Sequence, residues 1–319
     1  MRNIDQDVAL TAEETVARAA AGDVAAARQV IQSLVATDPA VERPVFRAII
    51  TSADPALWKE LARWTVAGQW ARVHVPAPMG RFPRAVGAVR ALAGLARDRA
   101  VPAVTRAAAD LASASDAVDR RAAAELAHWH PGVLPVEALA RLMDDPELAV
   151  RVAAARALAE LHDPAALPAL VHTLDRDDES AVEAEHALIR YGRAATSALL
   201  APLGSEHAHT RWLAARALRA IVDPACARAL AERLDDEDAG VRWLAADGLN
   251  RLGTDGVKAA LDLLARQVPH VWVAEGAYHV LRGEPGLVMA RLCEAVTAPE
   301  RAIEVPLLAQ RARAEAGLD

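Results

Sequence analysis

The sequence predicts an all-α chain, folded as an α-solenoid of stacked antiparallel helix pairs. Three observations predict it. First, the 319 residues are 53% hydrophobic but only 3% aromatic, so much of the apolar content is alanine. Alanine is the best helix former, and its short side chain lets helices approach closely. Second, β-branched runs with period-two alternation are missing from the sequence. Third, the chain repeats itself. A leucine ending an Ala-Leu-like pair recurs at Leu92, Leu126, Leu158, Leu188, Leu218 and Leu249, with Tyr278 in the same role. The spacings are 34, 32, 30, 30, 31 and 29. Two helices in about 30 residues cannot bury their apolar faces alone, and they do so by stacking on their neighbours.

The elements follow in order. Residues 1–83 read as an irregular helical cap over the first repeat. "TAEE" at 11–14 has the form of a capping box, and Asp23 and the Asp54–Pro55 pair mark further helix starts. "VHVPAPMGRFPR" at 73–84 carries three prolines and a glycine and reads as a loop. Trp58, Trp64 and Trp70, six residues apart, would scatter around one helix and read as packing inside the cap.

Residues 84–283 hold the repeats. In each, a first helix leads through an acidic turn to a second helix: "DDPE" at 144–147, "DRDDE" at 175–179, "DDED" at 235–238. Such aspartates cap free N–H groups and suit the helix dipole. The spacing and glycine of a calcium loop are wrong here. Val241, Ala245, Leu249 and Leu252, spaced 4, 4 and 3, form one face of a second helix. Leu167, Leu170 and Leu174, or Val257, Leu261 and Leu264, do the same for first helices. Trp129 falls three residues after Leu126, the core position held by Leu161 and Leu252 in later repeats. Cys226 and Cys293 lie in apolar helical pattern as small buried hydrophobes, and a lone pair makes no disulfide framework. Residues 284–319 should hold closing helices.

The stretches "DDPELAVRVAAARALAELHDPAALPALVHTLD" (144–175) and "DDEDAGVRWLAADGLNRLG" (235–253) resemble HEAT repeats, especially the short bacterial repeats similar to those of phycobilisome lyases. The resemblance implies a right-handed stack whose second helices line a concave surface. It also implies a ladder in which an Asp in the turn and an Arg six residues later pair along the stack. Asp145 with Arg151 and Asp236 with Arg242 fit. Ser205 with Arg211 and Asp175 with Ala181 do not, which predicts a ladder broken in its middle.

Trp243 raises the functional question. Each helical residue advances about 100°, so Trp243 lies about 200° from Val241 and points away from the core. Counting back six from Leu218, Leu249 and Tyr278 gives Trp212, Trp243 and Trp272. They read as an aromatic row along the implied concave face. Arg216, Asp247 and Gly276 follow one turn later, with Arg219, Asn250, Glu275 and His279 nearby. Aromatic and arginine side chains are the usual binding anchors. The competing reading is that the indoles stack on one another and fill space left by alanines.

This supports a non-catalytic scaffold that binds a protein or peptide on the concave face, with no cofactor. The second class is an enzyme resembling the DNA-alkylation-repeat glycosylases, whose cleft of Trp, Asp and Arg holds a cationic base. The charge of −7, from 36 basic and 43 acidic residues, argues against nucleic acid. P-loop, G-x-G-x-x-G, G-x-S-x-G and H-E-x-x-H motifs are absent. So are the His-Glu dipeptides of similar iron hydroxylases. Glu125 with His128 and Glu183 with His186 have metal-ligand spacing, but they stand at different registers and predict no metal site. His128, His130, His207 and His209 read as solvent-exposed turn histidines. With an acidic start and no 18-residue apolar run, the sequence predicts neither a signal peptide nor a membrane span, and a cytoplasmic protein.

Overall fold

The computed structural model describes residues 12, 14–19, 21, 23, 26, 29, 48, 54–66 and 100–318. Among them are fifteen α-helices and no strand. Leu92, Trp70, the segment 73–84, Thr11 and Glu13 of the capping box, and the Trp64 side chain lie outside the described residues. The chain forms two compact units, 1–166 and 167–319.

The first unit holds α1 (Pro55–Val66), α2 (Ala100–Ala112), α3 (Ala117–Trp129), α4 (Val136–Met143) and α5 (Leu148–Leu161). The Asp54 carboxylate accepts from the Ala56 N–H at 2.9 Å, and Pro55 takes the first helical position, where its missing N–H costs nothing. Asp23 accepts likewise from Ala26 at 3.1 Å. Helix α1 packs on α2 and α3, and α3 on α5. Trp58 is fully buried and Trp129 is 9% exposed, so both are packing residues.

The second unit holds α6 (Leu167–Thr173), α7 (Glu179–Tyr191), α8 (Thr196–Leu199), α9 (Ala208–Ile221), α10 (Ala227–Glu232), α11 (Ala239–Leu252), α12 (Thr254–Leu264), α13 (Val271–Leu281), α14 (Leu287–Thr297) and α15 (Val305–Glu315). The second helices stack α7 on α9, α9 on α11 and α11 on α13; among first helices α10 packs on α12. Leu126, Leu158, Leu188, Leu218 and Leu249 are all fully buried, because each lies on the face its neighbours cover. Leu252 is half-buried, at the edge of that face.

The last landmark differs. Tyr278 is 39% exposed, and Leu281 is the fully buried residue in its place. Leu281 follows Leu249 by 32 residues, and the N-caps Asp238 and His270 are also 32 apart. Residues three apart differ by only about 60° around a helix. Tyr278 and Leu281 can therefore both end an apolar stripe, and burial at Val273, Ala277, Val280 and Leu281 decides for the second.

The acidic turns act as caps. Asp116, Asp178 and Asp238 accept from the N–H groups of Val118, Ser180 and Val241 at 3.0, 2.8 and 2.9 Å. Four of the second helices, α5, α7, α9 and α11, also stop on one residue with positive φ, four after the landmark leucine: His162 (53°), Gly192 (59°), Val222 (55°) and Gly253 (58°). This left-handed stop turns the chain into the next first helix.

The arginine ladder refines the sequence reading at Arg211. Arg211 donates from Nη1 to the main-chain carbonyls of Ser205 and Glu206 at 2.9 and 3.1 Å. Its Nε and Nη2 clamp both oxygens of Asp236 in the next repeat, at 2.8 and 2.9 Å. Arg120 makes the same double contact, to the carbonyls of Ala114 and Ser115 and to Asp145. Arg211 needs only a carbonyl from its own turn, which serine supplies as well as aspartate does, so its rung to Asp236 is intact. The rung that would end on Ser205 is missing, because residue 181 is alanine and serine has no carboxylate, and the ladder is broken there. Asp175, whose own repeat has Ala181, is met by the Thr210 hydroxyl at 2.9 Å. Burial pushes the Asp145 carboxyl up, but the Arg120 hydrogen bonds, the Glu147 N–H and two arginine charges outweigh that and hold it below its usual range.

Candidate functional site

The outward face of α9, α11 and α13 carries the nine residues singled out in the sequence. Trp212 is half-buried, Trp243 is 56% exposed and Trp272 is 36% exposed. They are not three copies of one position. Trp212 and Trp243 lie five residues after their N-caps, His207 and Asp238. Trp272 lies two after His270, one turn nearer the start of its helix. By the 32-residue register, the counterpart of Trp243 on α13 is Glu275.

Each indole has a guanidinium on its face. Arg216 sits 4.5 Å from the centre of Trp212, one turn along α9. Arg219 reaches from α9 to Trp243 at 5.4 Å, and Arg242 from α11 to Trp272 at 4.3 Å. Such contacts contribute about 0.5–1 kcal/mol at exposed sites. His209 stacks on Trp212 at 6.5 Å, and His270 meets Trp272 edge-on at 4.9 Å. A Cβ on Gly240 would lie 3.1 Å from Trp212 Cδ1, so the half-buried indole reaches the start of α11 and takes part in packing.

The guanidinium groups are held as well as stacked. Arg216 donates to both oxygens of the fully buried Glu185, at 2.7 and 2.9 Å. Arg219 pairs with Asp247. Arg242 donates to the carbonyls of Asp236 and Glu237 at 2.8 and 3.0 Å. Arg216 and Asp247, singled out beside the row, are each one half of an ion pair. Asn250 donates to the His279 carbonyl at 3.4 Å, and Glu275 is exposed. The surface is thus aromatic: carboxylates neutralise Arg216 and Arg219, carbonyls hold the charged Arg242, and Glu275 adds an exposed carboxylate.

Sequence reasoning missed Glu185, Arg242 and the role of His209. Glu185 lies on α7, on the other side of α9 from Trp243, so no spacing along one helix could link it to the row. The histidines also needed correction. His209 is in the first turn of α9, not a loop. His128 is half-buried in the last turn of α3, with a ring nitrogen 3.3 Å from the Arg156 carbonyl. Cys226 is fully buried, and burial pushes its thiol up to about 11; Cys293 is half-buried. Among the described residues no group of three or more His, Cys, Asp or Glu is placed to hold a metal ion, and no helix is long and apolar enough to cross a membrane.

No curated protein sequence matches the chain. Among solved structures it is similar to the CpcE–CpcF complex of phycocyanin lyase from Nostoc sp. PCC7120, at 20% identity over 88% of this chain and 92% of that one (TM-score 0.33). It is similar to human deoxyhypusine hydroxylase in complex with glycerol, at 19% identity over 86% and 96% (TM-score 0.31). It is also similar to Kap121p bound to Pho4p, at 11% identity over 88% of this chain and 36% of that one (TM-score 0.44). The family model for HEAT repeats matches residues 109–189 and 196–282, slightly more than half of the chain. The recurring caps, the buried leucines and the arginine rungs agree with that match, and the chain belongs to the HEAT-repeat family.

Proposed function

We propose that the chain is a non-catalytic binding module that takes a protein or peptide segment on the outward face of α9, α11 and α13. The carrying observation is Trp243, a large apolar side chain 56% exposed in the middle of a well-packed helix. Val271, Trp272 and Tyr278 on the adjacent helix are 55%, 36% and 39% exposed. Large apolar side chains left exposed on two neighbouring helices favour an interaction site. Its anchors are rigid: each indole is held by a stacked arginine, which lowers the entropy lost on binding.

The test is selection from a random peptide display library against the whole chain. Selected peptides should bind the wild type and lose at least tenfold affinity for Trp243→Ala. That variant should keep its folding stability within about 1 kcal/mol, near the range of surface substitutions. Undiminished binding, or a loss of about 3 kcal/mol as for a core tryptophan, would return Trp243 to ordinary packing.

A further inference from the structure

Two complete triads of indole, guanidinium and carboxylate lie on the outward face. In the first, Trp212 carries Arg216, which is clamped by Glu185. In the second, Trp243 carries Arg219, which is paired with Asp247. The next helix breaks the series. Glu275 on α13 presents a carboxylate beside the row, three residues after Trp272, and among the described residues no arginine or lysine pairs with it. The position on α11 equivalent to Arg219 is Asn250, whose amide donates to a backbone carbonyl instead. Arg242, stacked on Trp272, is committed to two carbonyls of its own turn. Two exposed indoles, each already carrying an arginine of this chain, therefore stand beside one exposed carboxylate that has no cation among the described residues.

Resting on the binding reading above, we propose that the partner segment supplies that cation: a basic peptide whose arginine lies against the exposed part of the Trp243 indole, beside the Arg219–Asp247 pair, and pairs with Glu275. Charge favours this occupant. Residues 167–319 carry 23 acidic and 17 basic side chains, so a basic segment is attracted over the whole unit. Arginine fits better than lysine, because its planar group stacks on an aromatic face while its edge takes a carboxylate at two points. Val271 and Tyr278, both exposed on α13, offer apolar contact to the residues flanking that arginine.

The experiment uses three fluorescein-labelled decapeptides of alternating glycine with arginine, lysine or citrulline, titrated against the full chain by anisotropy. Citrulline keeps the shape of arginine without its charge. The arginine peptide should bind at least tenfold more tightly than the citrulline peptide and more tightly than the lysine peptide. Trp243→Ala and Glu275→Gln should each weaken it about tenfold. Glu300→Gln removes the same charge from the exposed Glu300, and should change affinity less than twofold. Equal losses for Glu275→Gln and Glu300→Gln would mean diffuse attraction and overturn the proposal. Library-selected peptides that need Trp243 but lack arginine and ignore Glu275→Gln would overturn it too, leaving the binding module standing. If no peptide depends on Trp243, both readings fall.

Discussion

Replacing Gly256 by alanine tests the packing of the repeat most severely. Gly256 lies in the first turn of α12, against the end of α11. A Cβ there would fall 1.9 Å from the carbonyl oxygen of Leu249, 2.6 Å from its carbon and 3.0 Å from its Cα. These are backbone atoms, and the carbonyl belongs to a helix whose Leu249 side chain is fully buried. Relief requires α12 to move away by more than 1 Å, roughly the gap between 1.9 Å and normal contact. A gap of about 0.5–1 Å already forfeits a quarter to a half of each dispersion contact. The facing Val257, Ala260, Leu261 and Leu264 are all buried, so many contacts loosen together. Overpacking usually costs about 1–3 kcal/mol, and this case belongs at the top of that range or above it. Gly248 is the matched control: its Cβ would meet the Cδ1 of Leu230 at 3.0 Å, the far end of a side chain that can rotate. Helix propensity there favours alanine by about 1 kcal/mol, which offsets the crowding. Denaturant melts of Gly256→Ala and Gly248→Ala should give a loss of about 3 kcal/mol or more for the first and a change under about 1 kcal/mol for the second. Similar midpoints for the two variants would refute the reasoning.

Other outcomes follow from the ladder and the leucines. Leu158→Ala, Leu188→Ala, Leu218→Ala and Leu249→Ala should each cost about 2–5 kcal/mol in the same assay; a cost below about 1 kcal/mol at two sites would contradict the burial. Ser205→Ala keeps the carbonyl that Arg211 uses and loses only the hydroxyl's bond from the His207 N–H, so it should cost about 1 kcal/mol or less. Arg211→Ala takes from the buried Asp236 its two-point partner, leaving Arg233 at 3.7 Å, and should cost toward the low end of about 3–5 kcal/mol. The carboxyl of Asp145 is depressed, so its pairing stabilises the fold above the unfolded aspartate range near pH 4 and is lost as pH falls through the lower folded value. The stability lead of wild type over Asp145→Asn, measured by thermal melts, should be full at pH 7 and shrink below about pH 4; a lead that grows on acidification would reverse the sign.

The repeat was legible because burial at Leu126, Leu158, Leu188, Leu218 and Leu249 has one cause, recurring contact with the adjacent repeat, and so leaves a periodic trace in the sequence. The register failed at Tyr278, where two large residues three apart could each close the apolar stripe. The break in the ladder between Ala181 and Ser205 was legible, but the forward rung of Arg211 was not, because side-chain identities say nothing about a carbonyl acceptor, which every residue carries. The row itself was half legible. That Trp243 points outward followed from helical angle alone, but its arginine, Arg219, comes from the preceding second helix, 24 residues away in sequence. Pairings across stacked helices depend on register to a single residue, and that register was wrong by three at α13.

The buried ion pair between Glu185 and Arg216 bears on how the chain could change length. A rung such as Arg211 with Asp236 uses chemistry that recurs at Arg120 and Asp145, so a duplicated repeat there would find complementary groups on both sides. The junction of α7 and α9 has no such spare copy. A repeat inserted between them would part a fully enclosed carboxylate from the one guanidinium that clamps it. Such a charge costs several kcal/mol to leave alone. Growth or shortening of this array is therefore physically open at its periodic seams and closed at that one.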